Sequence, residues 1–192
     1  MRGTIERPEG LVYEEEFVAE AEERDLLRFL DRLDFHEVVM RGQTARRTVR
    51  HYGFDYGYES WQLTPTDPLP EELSELRARA AVLVAVGPDE LAEVLVSRYP
   101  PGAGIGWHRD APMFGPAIVG VSLGAPAPLR FQHGKGGERR VFELEVAPRS
   151  AYVLAGAARS AWQHSIPATK ALRYSITFRT LRNPQREASK AR

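Results

Sequence analysis

The sequence has no cysteine in its 192 residues, which excludes disulfides, thiolate nucleophiles, Cys-ligated zinc and iron–sulfur clusters. A metal, if one is used, must sit on His, Asp and Glu. No apolar run reaches the ~18 residues of a transmembrane helix, and the N-terminal MRGTIERPEGLVYEEE lacks the apolar core of a secretory signal. These absences set the expectation of a cytoplasmic protein with no membrane contact. Internal repeats and low-complexity tracts are also missing, so the 192 residues are expected to form one ordinary domain with its own core. Net charge is +0, but it is unevenly spread. Residues 1–96 carry 11 Lys/Arg against 21 Asp/Glu, and residues 97–192 carry 15 against 5. A basic C-terminal half suits an anionic small molecule or a nucleic-acid backbone; a mixed surface whose halves cancel accounts for it equally well.

Helical spacing of Leu26, Phe29, Leu30 and Leu33 predicts a helix over Glu14–Leu33, with glutamates at its start complementing the helix dipole. Residues 43–58 (QTARRTVRHYGFDYGY) read as a strand, broken at Gly53 and Gly57. Their arginines and aromatics have the composition of a nucleotide-stacking surface, and equally of an ordinary sheet face with a solvated edge. A Pro-rich connection at 63–70 leads to a second helix marked by Leu73, Leu76, Ala80 and Leu83. It ends at Gly87-Pro88, with room for a short third helix over 90–95. From Val94 onward nearly everything reads as closely spaced strands: VLVSRY, AIVGVSL, PLRFQ, RRVFELEV, AYVLA, WQHSI and RYSITFR. That pattern predicts an α+β protein with a mainly β core, an antiparallel sandwich or jelly roll.

Three apparent motifs fail on context. Gly102-x-Gly104-x-Gly106 lacks dinucleotide-loop spacing and a following helix. His108-Arg109-Asp110 spells a kinase triplet without the other kinase signatures. Ser150 and Ser160 near His164 lack a nucleophile elbow. What remains is His108-x-Asp110 followed by a distant His164. In a strand, residues i and i+2 point to one side, so an imidazole and a carboxylate lie together. A second His then completes the two-His, one-carboxylate face of non-haem Fe(II) oxygenases. H-x-D alone is a common chance match. The strand Arg173–Arg179 strengthens it, because Arg173, Ser175, Thr177 and Arg179 share one face while Tyr174, Ile176 and Phe178 share the other. Inward-facing arginines need an anionic partner, and two of them could clamp a short dicarboxylate.

The segments RYPPGAGIGWHRD, VSLG, YVLAGAARSAWQHSI and RYSITFR, spanning residues 95–182 in order, resemble the AlkB-type Fe(II)/2-oxoglutarate dioxygenases. The resemblance implies a double-stranded β-helix (jelly-roll) core at 95–182. Before it, at 1–94, come N-terminal helices packed on the core and a substrate lid, and after it a polar tail at 183–192. It implies that His108, Asp110 and His164 bind Fe(II), and that Arg173 grips the distal carboxylate of 2-oxoglutarate with help from Tyr99. Arg179 would lie near the keto-acid end, with Ser97 and Ser175 standing where the family often has Asn. RRTVRHYGFDYGY resembles the family's nucleotide-recognition lid, in particular that of the branch hydroxylating modified tRNA wobble uridines. Arg46, Arg47, Arg50, Tyr56 and Tyr58 are its candidate contacts. The family's nucleic-acid repair members commonly carry acidic base-contacting residues after the position of Asp110. Here that segment is Ala111-Pro112-Met113.

The expected function is oxidative demethylation of alkylated DNA or RNA bases by a monomer that uses Fe(II), 2-oxoglutarate and O₂. The products would be succinate, CO₂ and formaldehyde, and the target base must be single-stranded or flipped out. The alternative is an AlkB-like hydroxylase of a modified tRNA base, a protein side chain or a small molecule. A jelly-roll binding module without metal is disfavoured by the complete triad and both arginines.

Overall fold

The structure, a computed structural model, describes residues 6–40, 42–56 and 63–182. Strand β1 (Leu11–Glu14) precedes helix α1 (Glu20–Leu30). The single helix expected from Glu14 to Leu33 is thus shorter, and the chain before it forms β1 and a turn at Glu15 and Glu16. Val12 and Tyr13 pair with Val153 and Tyr152 of β11 (Ser150–Leu154), a tertiary contact that local periodicity cannot reveal. Leu26 and Leu30 of α1 are buried as predicted, each side chain contributing about 1.5–3 kcal/mol. Helix α2 (Ser74–Leu83) buries Leu76, Ala80 and Ala81. No third helix covers 90–95: a 3₁₀ turn at Pro88–Glu90 is followed by β6 (Glu93–Tyr99).

One antiparallel sheet of seven strands contains β1, β11, β8 (Phe114–Gly124), β13 (Arg173–Leu181), β6, β3 (Gln43–Tyr52) and β2 (His36–Met40), in that order. A second, four-stranded sheet runs β10 (Arg140–Val146), β9 (Ala127–His133), β12 (Gln163–Ile166), β7 (Ile105–His108). Strands β4 (Phe54–Tyr56) and β5 (Leu63–Pro65) form a separate ribbon. The expected double-stranded β-helix is therefore corrected. The fold is α+β with antiparallel sheets, and among the described residues no sheet closes on itself, because the edge strands β1 and β2, and β10 and β7, do not pair with one another. Alternation along a strand specifies its two faces; closure depends on which edges meet, and the sequence carries no local signal for that.

The central strands of the large sheet serve two layers. Val94, Val96, Val119, Val121, Tyr174, Ile176 and Phe178 pack under α1 and α2. The opposite face, with Tyr99, Ile118, Tyr152 and Leu154, joins Leu129, Phe131 and Ile166 of the small sheet in a second core. The predicted break at Gly53 is real. Its φ is 77°, and a Cβ there would sit 2.0 Å from the Ala92 carbonyl oxygen, so only glycine fits. Gly57 lies outside the described residues.

Candidate active site

The space between the two sheets is lined by polar residues of β13, β6 and β8 on one side and by β7 and β12 on the other. His108 and His164 are direct partners across β7 and β12, with ring centroids 4.2 Å apart. Asp110 lies two residues past the end of β7, so strand geometry alone does not aim its side chain. Two arginines fix it instead. Arg179 donates from Nη2 (2.6 Å) and Nε (3.1 Å) to Asp110 Oδ1. Arg159 holds the backbone, donating to the carbonyls of Asp110 (3.1 Å) and Ala111 (2.8 Å). The other carboxylate oxygen, Oδ2, lies 3.5 Å from His164 Nε2. Arg109, between His108 and Asp110, turns away and bonds the carbonyl of Ala161.

Charge states follow from these neighbours. Burial pushes the Asp110 pKa up, but Arg179 and the two imidazoles outweigh it and hold the carboxyl well below the usual range. Burial is also the main reason why His164 is held down at about 3, with His108 adding to the effect. His108 is lowered too, again chiefly by burial, with the guanidiniums of Arg47 and Arg179 contributing. The His108 ring is within 2.8 Å of the Gly106 carbonyl through Nδ1. A proton on Nδ1 leaves Nε2 with its lone pair free. The site therefore offers two neutral imidazoles and one carboxylate, a donor set suited to Fe(II). Among the described residues no three His, Asp or Glu side chains already stand in metal-holding geometry. The fit rests on the donor types and their pairwise proximity.

A few residues along β13 the chemistry becomes that of an anion site. Arg173 is 0% exposed. Its Nε donates to Ser122 Oγ at 3.2 Å, the guanidinium lies 5.2 Å from the Tyr99 ring centroid, and Nη1 and Nη2 are buried with no hydrogen-bond partner. Orphaned buried donors on a cation are costly, and a carboxylate is the group that satisfies two parallel N–H bonds at once. The floor beside it is a row of serines. Ser150, Ser122, Ser175 and Ser97 are register partners across β11, β8, β13 and β6, and all are buried. Tyr152, which the sequence reading did not single out, places its phenol against Ser175, and burial raises its pKa. The ring lies over Gly120, where a Cβ would approach it to 2.2 Å.

Arg46, Arg47 and Arg50 do not form one surface. Arg46 is exposed. Arg50 stacks on Tyr52 and pairs with Asp67. Arg47 is buried and donates to Ser97 Oγ at 3.1 Å, inside the polar space. Arg179 is engaged by Glu93 (3.0 and 3.2 Å) as well as by Asp110. Glu93 is 0% exposed and lies 3.3 Å from His51 Nδ1. Neither Glu93 nor His51 was singled out, although Glu93 directly precedes the apolar run Val94–Val96 of its strand. The backbone of Tyr56 belongs to β4, and Tyr58 lies outside the described residues.

The sequence matches the 2OG-Fe(II) oxygenase superfamily over residues 11–179. The chain belongs to that superfamily. Among its relatives, the Xenopus tropicalis tRNA (carboxymethyluridine(34)-5-O)-methyltransferase alkbh8 is 30% identical over 170 residues, covering 85% of this chain and 26% of that protein. The chain therefore spans about a quarter of the length of that relative. The Escherichia coli alpha-ketoglutarate-dependent dioxygenase AlkB is 27% identical over 188 residues, covering 81% of this chain and 82% of AlkB. The solved structure of OsALKBH1 superposes with a TM-score of 0.72 at 16% identity, over 92% of this chain and 99% of the other, a likeness of fold.

Proposed function

We propose that this chain is an Fe(II)- and 2-oxoglutarate-dependent oxygenase that hydroxylates a modified RNA base, with tRNA as its substrate. The observation that carries the oxygenase chemistry is the fully buried Arg173 guanidinium, with two unpartnered nitrogens, in the same inter-sheet space as the His108, Asp110 and His164 group. In this reading those three residues hold the metal. Arg173, Tyr99, Ser175 and Ser97 receive the cosubstrate, and Arg179 keeps the Asp110 carboxylate charged and oriented. Bound there, Fe(II) supplies O₂ activation coupled to conversion of 2-oxoglutarate into succinate and CO₂. The protein's own contribution is to keep both imidazoles neutral, to exclude water between the sheets, and to hold the target C–H bond against an aimed site.

Two observations favour tRNA-base hydroxylation over repair demethylation. The relatives named for tRNA carboxymethyluridine modification, from Xenopus tropicalis and Mus musculus, share 30% identity with this chain. The segment after Asp110 also carries no acidic side chain, and its backbone is tied down by Arg159. The test is mass spectrometry of nucleosides from tRNA and from N-methylated DNA and RNA oligonucleotides, each incubated with protein, Fe(II) and 2-oxoglutarate. A modified uridine should gain one oxygen atom, without formaldehyde. Formaldehyde release from N-methylated oligonucleotides, with tRNA uridines untouched, would reverse the assignment.

A further inference from the structure

Among the described residues Glu93 is the only acidic residue with no exposed surface. It opens β6 directly opposite Arg179 of β13, and both of its oxygens accept from Arg179 Nη1, at 3.0 and 3.2 Å. His51, paired with Leu95 in the β3–β6 register, reaches diagonally along the same face to Glu93 Oε1 at 3.3 Å. On the other side of the ring, Nε2 lies 3.4 Å from the exposed carboxylate of Asp55 in β4. Arg179 in turn is stacked 4.6 Å over the Phe114 ring and gives Nη2 and Nε to Asp110 Oδ1. Five side chains thus link the exposed Asp55 to Asp110 without a break. Charge gives this arrangement a task. A divalent cation held by His108, Asp110 and His164 meets one carboxylate and three guanidiniums nearby: Arg179 on Asp110 Oδ1, Arg159 on the Asp110 backbone, and Arg47, which acts on His108. The Asp110–Arg179 pair alone is neutral, and Glu93 gives the three groups one net negative charge. Geometry works in the same direction. Arg179 occupies Oδ1, so Oδ2, 3.5 Å from His164 Nε2, is the oxygen left for a metal.

We propose that Glu93 is a positioning residue of the metal site: it holds Arg179 against Asp110 Oδ1, which leaves Oδ2 to the metal, and its charge offsets the guanidinium so that Asp110 keeps its pull on a divalent cation. This deepens the oxygenase reading above and rests on it. The test is calorimetric binding of Mn(II), a redox-inert probe, to the 192-residue chain. Glu93→Gln keeps the size and an acceptor oxygen for Arg179 and removes the charge. It should weaken Mn(II) binding roughly ten- to a hundredfold, the usual effect of losing an outer partner of a metal ligand. Glu93→Asp keeps the charge on a shorter stem and should stay within about threefold of wild type. Val94→Ala, the next residue of β6 but on the helix-packed face, loses core packing and should bind Mn(II) like wild type. Wild-type affinity in folded Glu93→Gln overturns the proposal. An equal loss in Glu93→Asp or in Val94→Ala overturns it too, since that marks shape or general loosening and not charge. If Glu93→Gln does not fold, Glu93→Asp decides alone: affinity kept supports the charge role, and affinity lost overturns it. Failure of the wild-type protein to bind Mn(II) at all would remove the oxygenase reading itself. Binding that is lost in Asp110→Asn and kept in Glu93→Gln would remove this inference alone.

Discussion

Arg173→Met should make the protein more stable and at the same time deaf to its cosubstrate. The wild-type side chain buries two N–H-bearing nitrogens without partners, and leaving a buried donor unsatisfied costs about 1–3 kcal/mol. Against this the mutation forfeits the bond to Ser122 and the stacking on Tyr99, together about 1–2 kcal/mol. Methionine is unbranched and fills much of the same volume, so little cavity is left. The balance favours the variant by about 2 kcal/mol, which for a chain of this size raises Tm by roughly 4–8 °C. Addition of 2-oxoglutarate at a hundred times its Kd should then stabilise the wild type by about 2.7 kcal/mol and the variant hardly at all. Differential scanning calorimetry with and without cosubstrate reads both effects. A lower Tm for ligand-free Arg173→Met would mean that the guanidinium is satisfied within the fold. A cosubstrate-induced shift equal to wild type would mean that the carboxylate binds elsewhere.

Asp110→Asn and His164→Ala should each remove high-affinity Mn(II) binding, read by calorimetry, while the circular dichroism spectrum is kept. Because burial keeps His164 neutral down to about 3, Mn(II) affinity should stay nearly flat from pH 8 to 5, with a tenfold loss per pH unit below 6.5 refuting the neutral-imidazole site. The same depression acts on folding with the opposite convenience. Above pH 6.5 it contributes nothing, and between 6.5 and 3 the unfolded chain takes up a proton that the folded one refuses, so His164 lowers stability as pH falls. Glu93→Gln leaves Arg179 with Asp110 as its charged partner and should cost about 2–3 kcal/mol in denaturant unfolding, less than the loss of a fully orphaned buried pair. Arg46→Ala should flatten the salt dependence of single-stranded RNA binding by about 0.7 log units, the contribution of one phosphate contact. Arg50→Ala should change it little, since Asp67 already neutralises that side chain.

The parts of the site that were legible in the sequence are those in which a single period fixes the geometry. In β13 the alternation of Arg173, Ser175, Thr177 and Arg179 with Tyr174, Ile176 and Phe178 translates directly into a polar face and a helix-packed face. His108 and His164 come together because their strands are neighbours in register, whereas Asp110 falls beyond the strand and is placed by Arg179 and Arg159, which no spacing rule links to it. Strand content was readable; openness of the sheets was not, because the pairing of edges is decided by the whole chain.

The arginines of β3 show a signal that was present and passed over. A strand turns successive side chains to opposite faces, so Arg46 and Arg50 can share a surface, while Arg47 belongs with Val49 and His51. That is the division in the structure: Arg47, Val49 and His51 are buried, Arg46 is exposed and Arg50 lies at the edge. Grouping the three by composition, as a basic stretch among aromatics, sets that alternation aside and assigns a buried cation to a phosphate-contacting surface. Splitting them by parity yields two environments from one segment, a surface charge at Arg46 and an interior charge at Arg47 whose hydrogen bond goes to Ser97. The interior one sits near His108, whose pKa it helps to depress, so β3 contributes to the inter-sheet site as directly as the strands carrying its histidines.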